Sequence, residues 1–164
     1  MLKWLWRTLS RRQSGEQQTE KKEEKFSMIS PTGAGPRGVD SWGSGAFRAP
    51  RGDREHKGVD YRLQPGQVVV APISGTIVRH ARPYSDPKWL YEYNGVVLKG
   101  ERCSIKMFYL EPFQHVIGKK VRRGEAIGMA QDVGKKYPGI TLHVHLQIDE
   151  IDPELFMERK EGVE

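Results

Sequence analysis

The chain has 164 residues, enough for one domain of ordinary size and a tail, and its single cysteine, Cys103, supports neither an internal disulfide framework nor a cysteine-rich zinc module. Charged residues make up 29%, mean hydropathy is strongly negative, and no run approaches the ~20 apolar residues of a helical membrane span. The net charge of +6 divides evenly between the first forty residues and the rest without forming an arginine stripe, so no nucleic-acid partner is expected, although an anionic cell wall or membrane would still attract the chain.

Residues 1–12, MLKWLWRTLSRR, place Leu2, Leu5, Trp6 and Leu9 on one helical face beside Lys3, Arg7, Arg11 and Arg12. This predicts a short amphipathic basic helix able to lie on an anionic membrane; a frayed terminus fits the same residues. Arg7 interrupts the apolar core that a cleavable secretory signal needs, so none is read here. Residues 13–40 are polar, then rich in Gly and Pro, and are expected to be a disordered linker. The folded unit is placed at 41–157, with a charged tail at 158–164.

Within that unit the chain reads as strands. Segments 67–71, 75–80, 95–99, 103–110 and 142–148 are short and rich in β-branched or aromatic residues. Pro65-Gly66, Ser74-Gly75 and Asn94-Gly95 are turn signals. Eighteen glycines and ten prolines argue against a helical bundle. The expected class is all-β: a compact antiparallel domain behind a flexible basic N-terminal tail, with at most a short turn or helix at 153–160.

Two histidines fall in LHVHLQI. Side chains alternate along a strand, so His143, His145 and Gln147 share one face while Val144, Leu146 and Ile148 enter the core. Two residues span roughly 6.7 Å, which lets one imidazole bind a metal while the other stands beside the site. Surface histidines on a half-exposed strand satisfy the same pattern. Upstream, His56-Lys-Gly-Val-Asp60 sets an imidazole and a carboxylate four residues apart, in a loop running into a strand. Together these pieces offer two imidazoles and one carboxylate, with a further imidazole nearby. Catalytic zinc typically takes three such ligands and leaves a fourth place open, whereas closed structural sites usually draw on several cysteines.

The stretches EHKGVDYR, PGQVVVAPISGTIVR, GKKVRRGEAIG and TLHVHLQI resemble, in order, the lysostaphin-type zinc endopeptidases, which cut peptide cross-bridges in bacterial cell walls. The resemblance covers about residues 43–153. It implies an antiparallel β-sheet groove of the duplicated-hybrid-motif type and a bound zinc ion. It makes His56, Asp60 and His145 the ligands and His143 a catalytic histidine, with peptidoglycan or another peptide as substrate. In detail the chain is most similar to the leukocyte cell-derived chemotaxin branch, through GVD, APISGTIV, ARPY, KMFYLEP, KYPGI and HVH. That branch is secreted and disulfide-bonded, a pattern that one cysteine cannot supply.

One position departs from the active peptidases. Their second catalytic histidine aligns with Tyr109, as in the chemotaxins, which are viewed as binding proteins. A tyrosine is a poor base near neutral pH, since its unperturbed pKa is about 10. Its hydroxyl can still donate to a developing oxyanion. Two functions therefore remain open: a zinc peptidase with His143 as base and Tyr109 as donor, or a zinc-stabilised recognition module without hydrolysis. Of the other residues, His80 reads as a surface residue and His115 as a turn residue, with replacement of the missing histidine as its alternative role. Cys103 reads as a buried or half-buried thiol. Trp89, Tyr91 and Tyr93 either wall a groove or cap a core. Location stays open between cytoplasm and membrane surface, or a phage-encoded factor acting at the envelope.

Overall fold

The computed structural model describes residues 25–149 and 151–158. The helix expected at 1–12, the linker up to residue 24 and the tail beyond 158 lie outside the described residues. Two ribbons open the fold, β1 (Val39–Asp40) with β2 (Gly43–Ser44) and β3 (Pro50–Arg51) with β4 (Arg54–Glu55). The chain continues through β5 (Val59–Arg62), β6 (Val68–Val70), β7 (Gly75–His80), β8 (Gly95–Lys99), β9 (Ser104–Phe108) and β10 (Leu110–Pro112). It ends with β11 (Lys120–Val121), β12 (Ala126–Ala130) and β13 (His143–Gln147). Six strands form one antiparallel sheet in the order β11-β7-β8-β9-β13-β5, and β10-β12-β6 form a smaller one. Among the described residues the only helical turns are 3-10, at Gln114–Val116, Val133–Lys135 and Pro153–Phe156. No helix among them is long and apolar enough to cross a membrane.

Alternation organises the large sheet. Val144 and Leu146 of β13, Val59 and Tyr61 of β5, Ile105 and Met107 of β9, and Val96 and Leu98 of β8 all point to one side and are fully or almost fully buried. Val69, Leu110 and Ile127 of the smaller sheet join the same cluster, so the core lies between the two sheets. The opposite face of β5, β13 and β9 carries Asp60, His143, His145 and Phe108. Antiparallel register sets His145 opposite both Asp60 and Phe108.

The expected strands 75–80 and 95–99 occur as such. The expected strand 103–110 breaks at Tyr109, whose φ of 68° turns the chain out of the large sheet and into the smaller one. Strand β12 escapes the sequence reading because AIGMA lacks β-branched density around a glycine. A Cβ at Gly128 would lie 2.4 Å from the Glu111 carbonyl, so the close pairing with β10 needs glycine there.

The linker expected up to residue 40 is corrected at its C-terminal end. Met28 is fully buried in the core and pairs with Met157. The Met28 N–H donates to the Phe156 carbonyl, and the Glu158 N–H donates to the Met28 carbonyl, each at 2.7 Å. Pro36 bridges Tyr61, and the Arg62 N–H donates to the Gly35 carbonyl at 3.1 Å. Residues 35–37 thus line the free edge of β5, while residues 28–31 bond to the chain around Met157, Pro72 and Val70. Their Gly- and Pro-rich composition carries no period, but these partners satisfy their backbone groups.

Candidate metal centre

His56 follows the β3–β4 ribbon, where its N–H donates to the Ala49 carbonyl at 2.9 Å and its carbonyl accepts from Arg48 N–H at 2.8 Å. Its Nδ1–H donates to the Ala46 carbonyl at 2.8 Å, since a carbonyl can only accept. That fixes the tautomer and leaves the lone pair on Nε2. This nitrogen lies 3.1 Å from Asp60 Oδ1 and 2.9 Å from His145 Nδ1, and His145 Nδ1 lies 3.0 Å from the same Asp60 oxygen. Three buried donor atoms therefore converge on one point.

The chemistry of this cluster tests whether a cation fits. Lone pairs on His56 Nε2 and Asp60 Oδ1 repel at 3.1 Å unless a proton or a metal ion lies between them. A tetrahedral zinc site with bonds of about 2.0–2.1 Å sets neighbouring donors roughly 3.3 Å apart. The separations found, 2.9–3.1 Å, need only a small expansion to reach that value. The residues fit a zinc ion. Gly58 leaves room for the His145 ring: a Cβ there would lie 2.2 Å from the Leu146 carbonyl oxygen and 2.9 Å from His145 Nε2. Phe108 stacks on the His145 ring, with centroids 5.5 Å apart and planes at 21°.

The other oxygen of Asp60, Oδ2, accepts from Arg37 Nε at 3.0 Å. Burial pushes the Asp60 carboxyl upward, but hydrogen bonds with His145 and His56 outweigh it and hold the group well below the usual carboxylate range. His143 stands beside the cluster, its Nε2 3.7 Å from Asp60 Oδ2. Its Nδ1–H donates to the Thr141 carbonyl at 2.7 Å, so Nε2 carries the lone pair. Burial lowers the His143 pKa more than Asp60 raises it, which keeps the ring neutral near pH 7.

Tyr109 meets His143 edge-on, with centroids 5.3 Å apart and planes at 89°. Its hydroxyl shares a 2.9 Å hydrogen bond with that of Tyr84, which in turn donates to the Tyr137 hydroxyl at 3.3 Å. Burial pushes the Tyr109 phenol up despite the Tyr84 hydrogen bond, so it stays protonated. Trp42 packs edge-on against Tyr137 at 5.0 Å and donates from Nε1 to the Pro138 carbonyl at 2.9 Å. These groups, with Arg51, Arg54, Glu55 and Lys57, line a cleft of about 340 Å³ over the cluster.

The residues singled out from the sequence separate clearly. His56, Asp60, His143, His145 and Tyr109 come together. His115 stacks on Phe113 outside the cleft, and His80 ends β7 with Nδ1 buried. Tyr93 is buried, packing on Tyr84 and Tyr109, whereas Tyr91 is largely exposed. Cys103 is half-buried, and burial raises its thiol pKa. Arg37, Gly58, Tyr84 and Phe108 were not read as site residues. Gly58, Tyr84 and Phe108 carried a signal by lying in GVD, ARPY and KMFYLEP, and Arg37 carried none.

An antiparallel β domain with a His/Asp/His cluster at metal-ligating distances, a neutral histidine beside it and a cleft above defines the class of this molecule. The chain belongs to peptidase family M23, whose family model matches residues 54–153. It is 35% identical to leukocyte cell-derived chemotaxin-2 of Mus musculus over 122 residues, 74% of this chain and 78% of that protein. Among solved structures it superposes on Csd3 of Helicobacter pylori with a TM-score of 0.58 at 17% identity, covering 84% of this chain and 36% of that one. The solution structure of lysostaphin superposes with a TM-score of 0.52 at 22% identity, covering 73% of this chain and 53% of that one. The chain thus spans about a third and about half of those two structures, and both likenesses concern the fold.

Proposed function

We propose that this chain is a zinc-dependent metalloendopeptidase acting on peptide bonds of bacterial cell-wall peptidoglycan. The observation that carries this reading is the convergence of His56 Nε2, Asp60 Oδ1 and His145 Nδ1 within 3.1 Å, with a free imidazole lone pair on His143 alongside. A zinc ion held by these three residues would supply Lewis acidity and lower the pKa of water toward about 7. His143 Nε2, neutral and unprotonated, accepts the proton of the attacking water and passes it to the nitrogen of the departing amine. The Thr141 carbonyl holds the His143 ring in the required tautomer and stabilises the imidazolium formed on the way. Tyr109, held protonated, donates toward the oxygen of the scissile carbonyl as negative charge develops there, a role worth up to about 3 kcal/mol. The substrate class follows the four motifs that resemble lysostaphin-type enzymes, and the three cations Arg51, Arg54 and Lys57 against the single Glu55 beside them in the cleft lining suit an anionic wall.

A second reading rests on Tyr109. With tyrosine where active relatives carry histidine, the cleft would serve as a zinc-stabilised recognition site of the chemotaxin type. The two readings part in one assay. The zinc-loaded protein is incubated with peptidoglycan sacculi beside His143→Ala, and newly released amines are counted. Release by the first and not the second supports hydrolysis. Absence of release at one zinc per chain supports the recognition module, as does activity gained only in Tyr109→His. Unchanged zinc content in His56→Ala would overturn the ligand set.

A further inference from the structure

We propose that Arg37 is a positioning residue of the metal centre: it commits Asp60 to ligation through one oxygen and, through Asp40, ties that ligand to the backbone that aims His143. The inference rests on the metal reading above. Arg37 lies outside the segment that matches the family model, in a stretch whose composition reads as linker. It is nevertheless only 3% exposed.

Its side chain donates three hydrogen bonds, one from Nε and two from Nη1. Nε donates to Asp60 Oδ2 at 3.0 Å, and Nη1 donates to Asp40 Oδ2 and to the Gly43 carbonyl, both at 2.8 Å. The same Asp40 oxygen accepts from the Thr141 N–H at 2.9 Å, and the Thr141 carbonyl accepts from His143 Nδ1–H at 2.7 Å. The Arg37 N–H itself donates to the Asp60 carbonyl at 2.7 Å, so the side chain and its target are held at both ends. Gly45 closes the other side, where a Cβ would lie 2.3 Å from Arg37 Cγ. One connected path therefore runs from the ligand carboxylate to the histidine beside it.

The physical consequence is specific. A carboxylate beside a metal ion can bind through one oxygen or through both. A guanidinium donor on Oδ2 occupies that lone pair, and its positive charge opposes an ion approaching the same oxygen. Oδ1, facing His56 and His145, is left for the metal. Arg51 Nη2 stands 3.7 Å from Oδ2, too far to replace the hydrogen bond. Arginine suits the task better than lysine because a rigid fork can bridge two carboxylates at set angles.

The test compares the full chain with Arg37→Met and Arg37→Lys, each confirmed folded by circular dichroism. Zinc affinity is measured by competition with a chromophoric chelator, and the visible absorption of the cobalt(II)-substituted protein reports coordination. Arg37→Met is expected to lower zinc affinity about 10–100-fold. Its cobalt absorption should lose intensity as Asp60 swings to bind through both oxygens. Arg37→Lys should fall between. Wild-type affinity together with an unchanged cobalt spectrum in Arg37→Met overturns the proposal. Should Arg37→Met not fold, Arg37→Lys decides by the same two readouts, since it keeps a cation in the site. A wild-type chain that binds no zinc overturns both this inference and the metal reading; a wild type that binds zinc with indifferent Arg37 variants overturns this inference alone.

Discussion

At the residue scale, the centre depends on small clearances and fixed tautomers. Gly58 has no room for a side chain: a Cβ would meet a backbone oxygen at 2.2 Å and the His145 ring at under 3 Å. Gly58→Ala is expected to destabilise the fold by about 1–3 kcal/mol through overpacking and to weaken zinc binding as His145 is displaced. Urea unfolding and a zinc titration on the same preparation check both effects. The charged groups predict a sign for the pH response of zinc-free protein. His143 has a folded pKa below its usual 6.5, so as pH falls through 6.5 the unfolded chain takes up its proton first and stability drops. Asp60, depressed below 3.8, contributes fully above that value, and its contribution is lost as pH falls toward the folded pKa. Chelator-treated protein should therefore lose stability toward acid in two stages. His143→Gln should remove its part of the near-neutral stage and leave the acidic one, as read from urea midpoints across a pH series.

At the element scale, β13 carries the design. Its period of two sends Val144 and Leu146 into the core and His143 and His145 into the cleft, and a slip of one residue would exchange the sets. That alternation was legible in LHVHLQI, as was the pairing of His56 with Asp60. Residues 28–37 were not legible, because a segment rich in Gly and Pro shows no pattern until the backbone groups it pairs with are known. Met28 anchors this segment in the core at no exposure. Met28→Ala should cost about 2–5 kcal/mol. A chain beginning at residue 41 should lose more, since it also lacks Arg37 and uncovers β5. Urea unfolding of both variants against the full chain measures the difference, and equal midpoints would restore the linker reading. Strand β12 was missed for the opposite reason: its glycine is required by close approach to β10, a contact far away in sequence.

At the scale of the whole molecule, the centre joins distant parts of the chain. Asp60 and His145 come from neighbouring strands, His56 from just after the β3–β4 ribbon, and Arg37 from the segment along the β5 edge. A ligand that binds only this assembled state must stabilise it. Zinc at a hundred times its dissociation constant should add about 2.7 kcal/mol, which chelator removes. Thermal unfolding with zinc and with chelator tests this, and His56→Ala should make the two curves coincide. A wild-type curve indifferent to zinc would count against the centre as a metal site.

Local backbone geometry placed His143 and His145 on one strand face and His56 four residues from Asp60, and the resemblance of EHKGVDYR and TLHVHLQI to lysostaphin-type enzymes named them as a centre before any coordinates. The turn at Tyr109, the hydroxyl chain to Tyr84 and Tyr137, the glycine clearance at Gly58 and the buried guanidinium of Arg37 could not be read in that way. Each depends on which segments meet across the sheets, and such meetings are set by the packing of the entire core, not by any pattern along the chain.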